Sequence, residues 1–450
     1  MSVFNRQRLP AEVFQLDVER MRRGWYTDQY FINIAEMLTA LAAEGYRFAG
    51  EHPAVPDLAE ARTALVGDIE VEMQIFHRRR PFAVVAGVDE AIAILRACTG
   101  YHDAGGRFVP TFDRLQVEAV HDGALVPYGG DPLVVTPVLR IRGRYRDFAL
   151  LETPILGALA EASRVATNVF QVLTAARGKD ILFFPARFAH YKLQALHGYA
   201  YSLAVAAYNQ QSGASSRMLV STEEQAAWWG GRAAGTVAHA AIACFLGDTA
   251  ETMMQYARLR PPGLPRIALV DFHNDCVRDT LRVMDRLFAR YRELIDAGQP
   301  AEAERYRLYA VRPDTSANLR DASLEPVDDP AQDRGVNARL IRTLRAAIDS
   351  AYLRWELPPA WVEPARAWCR AIKIVATGGF TPERIAAFEQ AGVPADIYGV
   401  GSYLLSKSSL DGTSTDFTAD IVRVKLGDTW RLMAKAGRRP GENPQLEPVR

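Results

Sequence analysis

Residues 372–402 read IKIVATGGFTPERIAAFEQAGVPADIYGVGS, and the fold of the chain is decided here. Residues 372–376 are a short apolar, β-branched run that Gly378 and Gly379 break. Thr381, Pro382 and Glu383 then supply a helix N-cap, a first-turn proline and an acid favoured by the helix dipole. Ile385, Ala386, Phe388 and Glu389 follow at helical spacing, Gly392 stops the helix, and residues 396–400 form a second strand running into Gly399-Val400-Gly401-Ser402. Two successive strands therefore end in glycine turns. Glycine removes the Cβ that would keep an anion away from backbone N–H groups, and the following helix adds a favourable N-terminal field. Either turn alone reads equally well as an ordinary strand-to-helix turn. As a pair in consecutive units they match the phosphate site built from the last two loops of a βα barrel.

Working outward, strand-like runs at 181–184, 267–272 and 306–311 alternate with helical patterns, which implies parallel strands covered by helices. The expected fold class is α/β, an irregular TIM-like barrel joined to an open-faced α+β sandwich. Residues 28–42 form an amphipathic helix with Phe31, Ile34, Met37, Leu38 and Leu41 on one face, Thr27 at its entrance as N-cap and Tyr30 as a half-buried aromatic. Residues 71–96 give an extended segment, a solvated basic turn at Arg78, Arg79 and Arg80, a strand and a helix. Residues 115–145 alternate between apolar and polar with glycine turns, as antiparallel strands do. A long helix runs from about 150 to 176, 323–335 is a surface loop, and 420–425 and 429–435 alternate again. The expected domains are 1–145, with 405–450 returning to it, and a barrel over 146–404.

The chain has 450 residues, 49% of them hydrophobic, enough for a large core. Lysine plus arginine and aspartate plus glutamate are equal at 53 each, so no global field recruits nucleic acid or an anionic membrane. The first twenty residues lack an apolar signal-peptide core, and no apolar run approaches the ~18 residues of a membrane span. A cytoplasmic protein is expected. Cys98, Cys244, Cys276 and Cys369 are far apart and read as buried thiols, not as a zinc site or a disulfide framework.

Three places could carry chemistry. Arg312-Pro313-Asp314-Thr315-Ser316 follows directly on a strand, where Asp314 could accept two hydrogen bonds from a vicinal diol and Arg312 could fork onto a carboxylate or phosphate. The same residues would also serve as a proline-built turn capped by Asp314. Gly235-Thr236-Val237-Ala238-His239 leads into an apolar helix over 240–246, whose N-terminus would keep the His239 imidazole neutral and nucleophilic, or His239 is a structural histidine, as most lone ones are. Asp271 and Asp275 flank Phe272-His273-Asn274 beyond another strand and could hold Mg²⁺ through water, or one of them could cap a helix.

In order along the chain, Thr27-Asp28-x-Tyr30, Glu152-Thr153-Pro154-Ile155-Leu156, Gly235-Thr236-x-x-His239, Arg312-x-Asp314-Thr315-Ser316, Gly378-Gly379-Phe380-x-Pro382-Glu383-x-Ile385 and Gly399-Val400-Gly401-Ser402 resemble the motifs of nicotinate phosphoribosyltransferases. The resemblance runs from about residue 25 to 435. It implies a dimeric type II phosphoribosyltransferase, each site finished by the partner subunit, that makes nicotinate mononucleotide and pyrophosphate from nicotinate and phosphoribosyl pyrophosphate. It further implies Mg²⁺ and coupling to ATP hydrolysis through a phosphohistidine, in NAD biosynthesis. Carried over by position, His239 is the phosphorylated residue, Asp314 the ribose-diol acceptor, and Arg312 and Thr236 substrate contacts. Gly378, Gly379, Gly401 and Ser402 cradle the 5′-phosphate, Tyr30 stacks on the pyridine ring from the other subunit, and Asp271 and Asp275 serve the metal.

One segment departs from the family. Where Asp-Phe-Gly-x-Arg-Arg is usual, this chain has Phe183-Phe184-Pro185-Ala186-Arg187-Phe188, which leaves Arg187 alone to meet a carboxylate or phosphate. Residues 212–229 likewise replace a stretch rich in Gly, Phe and Asp. Two rival readings are a barrel lyase or aldolase acting on a sugar phosphate and a non-catalytic nucleotide-binding relative. The first wants a Schiff-base lysine at a strand's C-terminal end, and Lys373 lies near the start of its strand.

Overall fold

Strand β1 (Glu70–His77) is buried from Val71 onward, because a six-stranded antiparallel sheet pairs it on both edges. The computed structural model describes residues 7–233, 235–407 and 412–449. On one side β1 meets the tail strand Phe417–Leu426, with Met73 opposite Ile421. On the other it meets β3 (Leu139–Arg144), which in turn pairs with β2 (Gln116–Ala119). Met73 and Ile75 point into a core with Val117, Leu139 and Ile141, closed by Ile92 and Leu95 of helix α2 (Val88–Cys98). The alternate residues face the other way, yet they too are buried. Glu72 sits between Arg142 of β3, at 2.6 Å, and Arg423 of the tail strand, each directly across from it. A carboxylate removed from water stays charged only with such partners.

Chain contacts divide the protein into two compact units. The first comprises Met1–Phe170, Tyr199–Gln211 and Ser406–Arg450, and the second Gln171–Gly198 and Ser212–Leu405. In the first, α1 (Gln29–Ala43) forms over the expected residues and buries Phe31, Ala35 and Leu38. Thr27 is not its N-cap. Its hydroxyl donates to Leu150 O at 2.5 Å, and Asp28 occupies the cap position. Helix α3 (Glu152–Ala175) follows. The basic turn is not wholly solvated either: Arg79 is completely buried, with its guanidinium on Thr415 Oγ1 and Asn168 Oδ1.

The second unit holds six parallel strands that curl into a half-barrel: β4 (Asp180–Phe183), β5 (Met218–Val220), β6 (Arg266–Leu269), β7 (Leu308–Arg312), β8 (Lys373–Ala376) and β9 (Ile397–Val400). Their order is β6-β7-β8-β9-β4-β5. Leu182, Ile267, Ala310, Val375 and Ile397 line one face as a continuous apolar layer. Strands buried on both faces read as unbroken apolar runs, which is why five of the six were visible in the sequence. The sixth, β5, is only three residues long and falls in 212–229. The edge strands β5 and β6 do not pair with each other among the described residues; Val220 forms an isolated bridge to Ala233. The expected barrel is thus present as a half-barrel in a mixed α/β protein. No helix among the described residues is long and apolar enough to cross a membrane.

The glycine-turn units form as the sequence implies. Strand β8 leads through Gly378 and Gly379 into α7 (Pro382–Gln390), where the Thr381 hydroxyl caps Arg384 N at 3.4 Å. The helix after Gly235 is shorter than expected, α4 (His239–Cys244), and of its residues only Ile242 is buried. Apolar alanines gave it length in the sequence but have no core to pack on. Cys244 is consequently exposed, whereas Cys98, Cys276 and Cys369 are buried.

Candidate active site

The C-terminal ends of β4, β6, β7, β8 and β9 carry the chemistry-bearing residues of the second unit. Beyond β7, Asp314 faces the turn that leaves β8. The Thr377 hydroxyl lies 2.8 Å from Asp314 Oδ1 and 3.0 Å from Pro313 O, and its single proton can serve one of them at a time. Gly378 and Gly379 follow with φ of +100° and +70°, a conformation that a side chain resists. A Cβ on Gly378 would stand 3.7 Å from Asp314 Oδ1, so the turn passes directly over that carboxylate. Asp314, Ser316, Gly378, Gly379, Arg334 and Arg384 share a cavity of about 690 Å³.

Beyond β6, Asp271 Oδ2 pairs with His239 Nε2 at 3.0 Å. With the carboxylate ionised, Nε2 carries the proton and Nδ1 presents its lone pair. Burial pushes the Asp271 pKa up, the hydrogen bond and charge of His239 oppose the shift, and Asp314 adds to it. The orienting partner of His239 is therefore this carboxylate. A six-residue helix contributes little field of its own.

Arg312 brings positive charge to the same place. Its guanidinium lies 5.6 Å from the centre of the Phe184 ring, and Nη2 reaches Val237 O at 3.4 Å. Burial lowers its pKa, Asp314 and Asp271 counter that, and Arg187 reinforces it. Arg312 thus feels the charges of Asp314, Asp271 and Arg187, and Asp271 those of His239 and Asp314. Arg187 stands 5.2 Å over the ring of Phe188, whose edge rests on Gly401: a Cβ there would come to 2.7 Å. At Gly399 a Cβ would meet Thr377 Cγ2 at 2.5 Å and the Phe184 ring at 3.1 Å. Gly399 within β9 and Gly401 just after it are therefore required by the packing of Thr377, Phe184 and Phe188.

Ser402 opens a short 3₁₀ turn, Ser402–Leu405, next to Gly401. Thr236 donates its hydroxyl to Val237 O at 3.4 Å, the same carbonyl that Arg312 Nη2 reaches. Thr236 lines a second cavity of about 520 Å³ with Leu182, Leu219, Ile267, Val375 and Tyr309. Lys373 begins β8 and its ammonium lies 5.3 Å from the Tyr309 ring centre, away from the strand ends where a Schiff-base lysine would act. In the first unit, Tyr30 is 62% exposed and its hydroxyl is 3.4 Å from Asp28 Oδ2. Two motifs quoted separately meet there, since the Thr153 hydroxyl donates to Asp28 Oδ2 at 3.0 Å and Asp28 N donates to Thr153 Oγ1 at 3.2 Å.

For a divalent cation, Asp271 fits and Asp275 does not stand ready. Asp271 Oδ1 is buried with no hydrogen-bond partner among the described residues, while Asp275 Oδ1 accepts from Arg278 N at 3.0 Å as the N-cap of α5 (Cys276–Asp296). No group of three or more His, Cys, Asp or Glu suited to a metal occurs among the described residues. Mg²⁺ commonly binds through one or two carboxylates and the substrate's own phosphates, so a single acid is compatible with it. Sequence reasoning missed Thr377, Phe184 and Arg384. Thr377 stands immediately before Gly378 and was open to notice; the other two act through folding contacts that spacing does not encode.

A family model of the quinolinate phosphoribosyl transferase N-terminal domain matches residues 57–163. A curated nicotinate phosphoribosyltransferase from Mycobacterium tuberculosis is 25% identical over 344 residues, covering 74% of this chain and 61% of that protein. The chain thus spans less than two thirds of the length of this relative. Among solved structures, a nicotinate-nucleotide pyrophosphorylase from Pyrococcus furiosus superposes with a TM-score of 0.61 at 22% identity, over 96% of this chain and 84% of that one. The human nicotinic acid phosphoribosyltransferase gives 0.52 at 18% identity, over 90% and 75%. These two likenesses are of fold. The matched domain and the curated relative are thus similarities to type II phosphoribosyltransferases, in line with the ordered motifs.

Proposed function

We propose that the protein joins nicotinate to phosphoribosyl pyrophosphate, giving nicotinate mononucleotide and pyrophosphate in cytoplasmic NAD biosynthesis. The observation that carries this reading is Asp314 held by Thr377 beneath the Gly378-Gly379 turn, in one cavity at the ends of β7 and β8. A diol acceptor beside an anion-binding turn is what a ribose 5-phosphate requires.

In the transfer, the pyridine nitrogen lone pair forms the new bond to the anomeric carbon while the carbon–oxygen bond to pyrophosphate breaks and its electron pair leaves with pyrophosphate. Positive charge passes from an oxocarbenium-like centre to the pyridinium ring, so no proton needs to move. Asp314 steadies the ribose hydroxyls and puts negative charge near the cationic centre. Arg312 and Arg187 receive the nicotinate carboxylate or a phosphate oxygen, and Gly401 and Ser402 join the 5′-phosphate cradle. Mg²⁺, when bound, would be held by Asp271 and would neutralise the leaving pyrophosphate. ATP enters through His239: Nδ1 attacks the γ-phosphorus, ADP leaves, and the phosphohistidine is later hydrolysed to phosphate. The reading includes an irregular barrel over 146–404 and a homodimer in which Tyr30 of one protomer stacks on the base held by its partner.

A second base deserves testing because the matched domain model is that of quinolinate enzymes, and two arginines could receive two carboxylates. Pyrophosphate release from phosphoribosyl pyrophosphate is to be measured with nicotinate, nicotinamide and quinolinate in parallel. Nicotinate should give the highest kcat/KM. Release with none of the three would overturn the transferase reading, and a preference for quinolinate would replace the base.

A further inference from the structure

We propose that Arg384 is a positioning residue of the phosphate site, pinning the carbonyls of the Gly378-Gly379 turn so that the amides of that turn face the ligand, and adding a positive charge that only an anionic ligand balances. The inference rests on the phosphoribosyltransferase reading and assigns a role within it to Arg384, an unspecified position of the Gly378–Ile385 motif quoted above.

The geometry is specific. From the first turn of α7, the Arg384 Nη1 donates to Gly378 O at 2.6 Å and to Gly379 O at 3.3 Å, and Nη2 donates to Val336 O. A peptide unit is planar and trans, so each N–H points opposite to the carbonyl of its own unit. With Gly378 O and Gly379 O both turned to the guanidinium, the N–H groups of Gly379 and Phe380 are directed away from it. Neither these two amides nor that of Gly378 donates to any acceptor among the described residues. Three successive free amides in a positive-φ turn form a concavity suited to anions. The turn lines the same 690 Å³ cavity as Asp314.

The charge of Arg384 is unbalanced as well. Its three acceptors are all backbone carbonyls, it takes part in no ion pair among the described residues, and its stem lies against Phe380, with the guanidinium 4.3 Å from that ring's centre. Half-buried beside aromatic rings, it is poorly hydrated, and burial lowers its pKa with no opposing charge nearby. Taking a cation out of water without a counter-charge is costly unless something else is gained. A phosphate dianion on the adjoining amides supplies that gain. The planar fork suits the site: one guanidinium nitrogen serves Gly378 O and Gly379 O while the other reaches Val336 O on a second chain segment.

The test is binding of ribose 5-phosphate by calorimetry to wild type, Arg384→Met and Arg384→Lys, together with KM for each substrate. Arg384→Met keeps the apolar contact with Phe380 but loses the charge and the fork, and should bind ribose 5-phosphate about ten-fold more weakly or worse. Its KM for phosphoribosyl pyrophosphate should rise while that for nicotinate stays put, a split that general loosening of the fold would not give. Arg384→Lys restores the charge and should fall between the two. Affinity within about two-fold of wild type in Arg384→Met overturns the proposal. Should that variant not fold, Arg384→Lys decides, and wild-type affinity there overturns it. Wild-type protein that ignores ribose 5-phosphate would instead sink the transferase reading itself.

Discussion

His239 and Asp271 show how one contact sets the chemistry of a side chain. Because Asp271 Oδ2 engages Nε2, a phosphoryl group arriving from ATP, as the proposed function requires, would be received at Nδ1. Incubation with labelled ATP and Mg²⁺ should leave acid-labile phosphate on the wild-type chain and none on His239→Ala, in which stimulation of the transfer by ATP should also vanish. Asp271→Asn keeps the shape but removes the charge and can offer an NH2 in place of an oxygen, so the tautomer is no longer fixed, and labelling should slow by about 10²-fold or more. Equal labelling of all three chains would place the phosphate elsewhere. The sequence brought both residues into view, but from spacing alone they belonged to separate stories, an imidazole at a helix start and an acid for a metal. Only the fold puts them 3.0 Å apart.

At the scale of elements, the parallel strands and the strand-turn-helix unit over 372–402 were legible because each is a short apolar run punctuated by glycine, proline or a cap. What escaped was set by tertiary contact. The helix after Gly235 contracts to six residues because its alanines find no core. Thr27, a good cap by type, is drawn off to Leu150 O. The turn after β9 was read as glycine for the sake of an anion, and Gly401 turns out also to make room for Phe188, a residue by which this chain departs from the motifs it otherwise resembles. A methyl group at 2.7 Å from an aromatic carbon forces one of the two to move. Gly401→Ala should therefore cost about 1–3 kcal/mol in thermal or denaturant unfolding. In Gly401→Ala/Phe188→Ala most of that loss should be recovered relative to Phe188→Ala alone. Additive losses in the double-mutant cycle would show that the ring yields freely.

For the molecule as a whole, stability should depend on pH through carboxyls that folding keeps protonated. Burial lifts Glu90, in the first turn of α2, from its ordinary 4.5 to about 7, and Glu152 to about 8 with help from Asp420 and Asp28. For a raised carboxyl the folded state holds a proton that the unfolded chain has released, so stability falls as pH rises from the unfolded to the folded pKa. His77 works in the opposite sense: burial lowers it to about 4, so it adds stability between about 4 and its ordinary 6.5. Glu90→Gln should thus gain about 1–3 kcal/mol on wild type at pH 8 relative to pH 5, as measured by denaturant titration at both values. An equal difference at the two values would show that Glu90 ionises freely. Assembly is tested at the same scale. Asp314→Ala should lower turnover by about 10²-fold, and mixing it with Tyr30→Ala chains should regenerate some working sites if each site borrows a ring from its partner. A monomer at working concentration, or mixed chains with no recovered turnover, would rule that arrangement out.

The pairing of β1 with a strand from the tail has a consequence in time. Glu72 and Arg423, cross-strand neighbours in one sheet, are separated by 351 positions of chain. At ribosomal speeds β1 leaves the exit tunnel roughly 20–70 s before its partner exists. Through that interval the strand that anchors the first unit has an open edge, and Glu72 has only one of its two arginines. The first unit can be completed only after residues 417–426 have been made, whereas the half-barrel, encoded between the two strands, can assemble first. Nascent chains halted before residue 417 should accordingly be the species that chaperones hold.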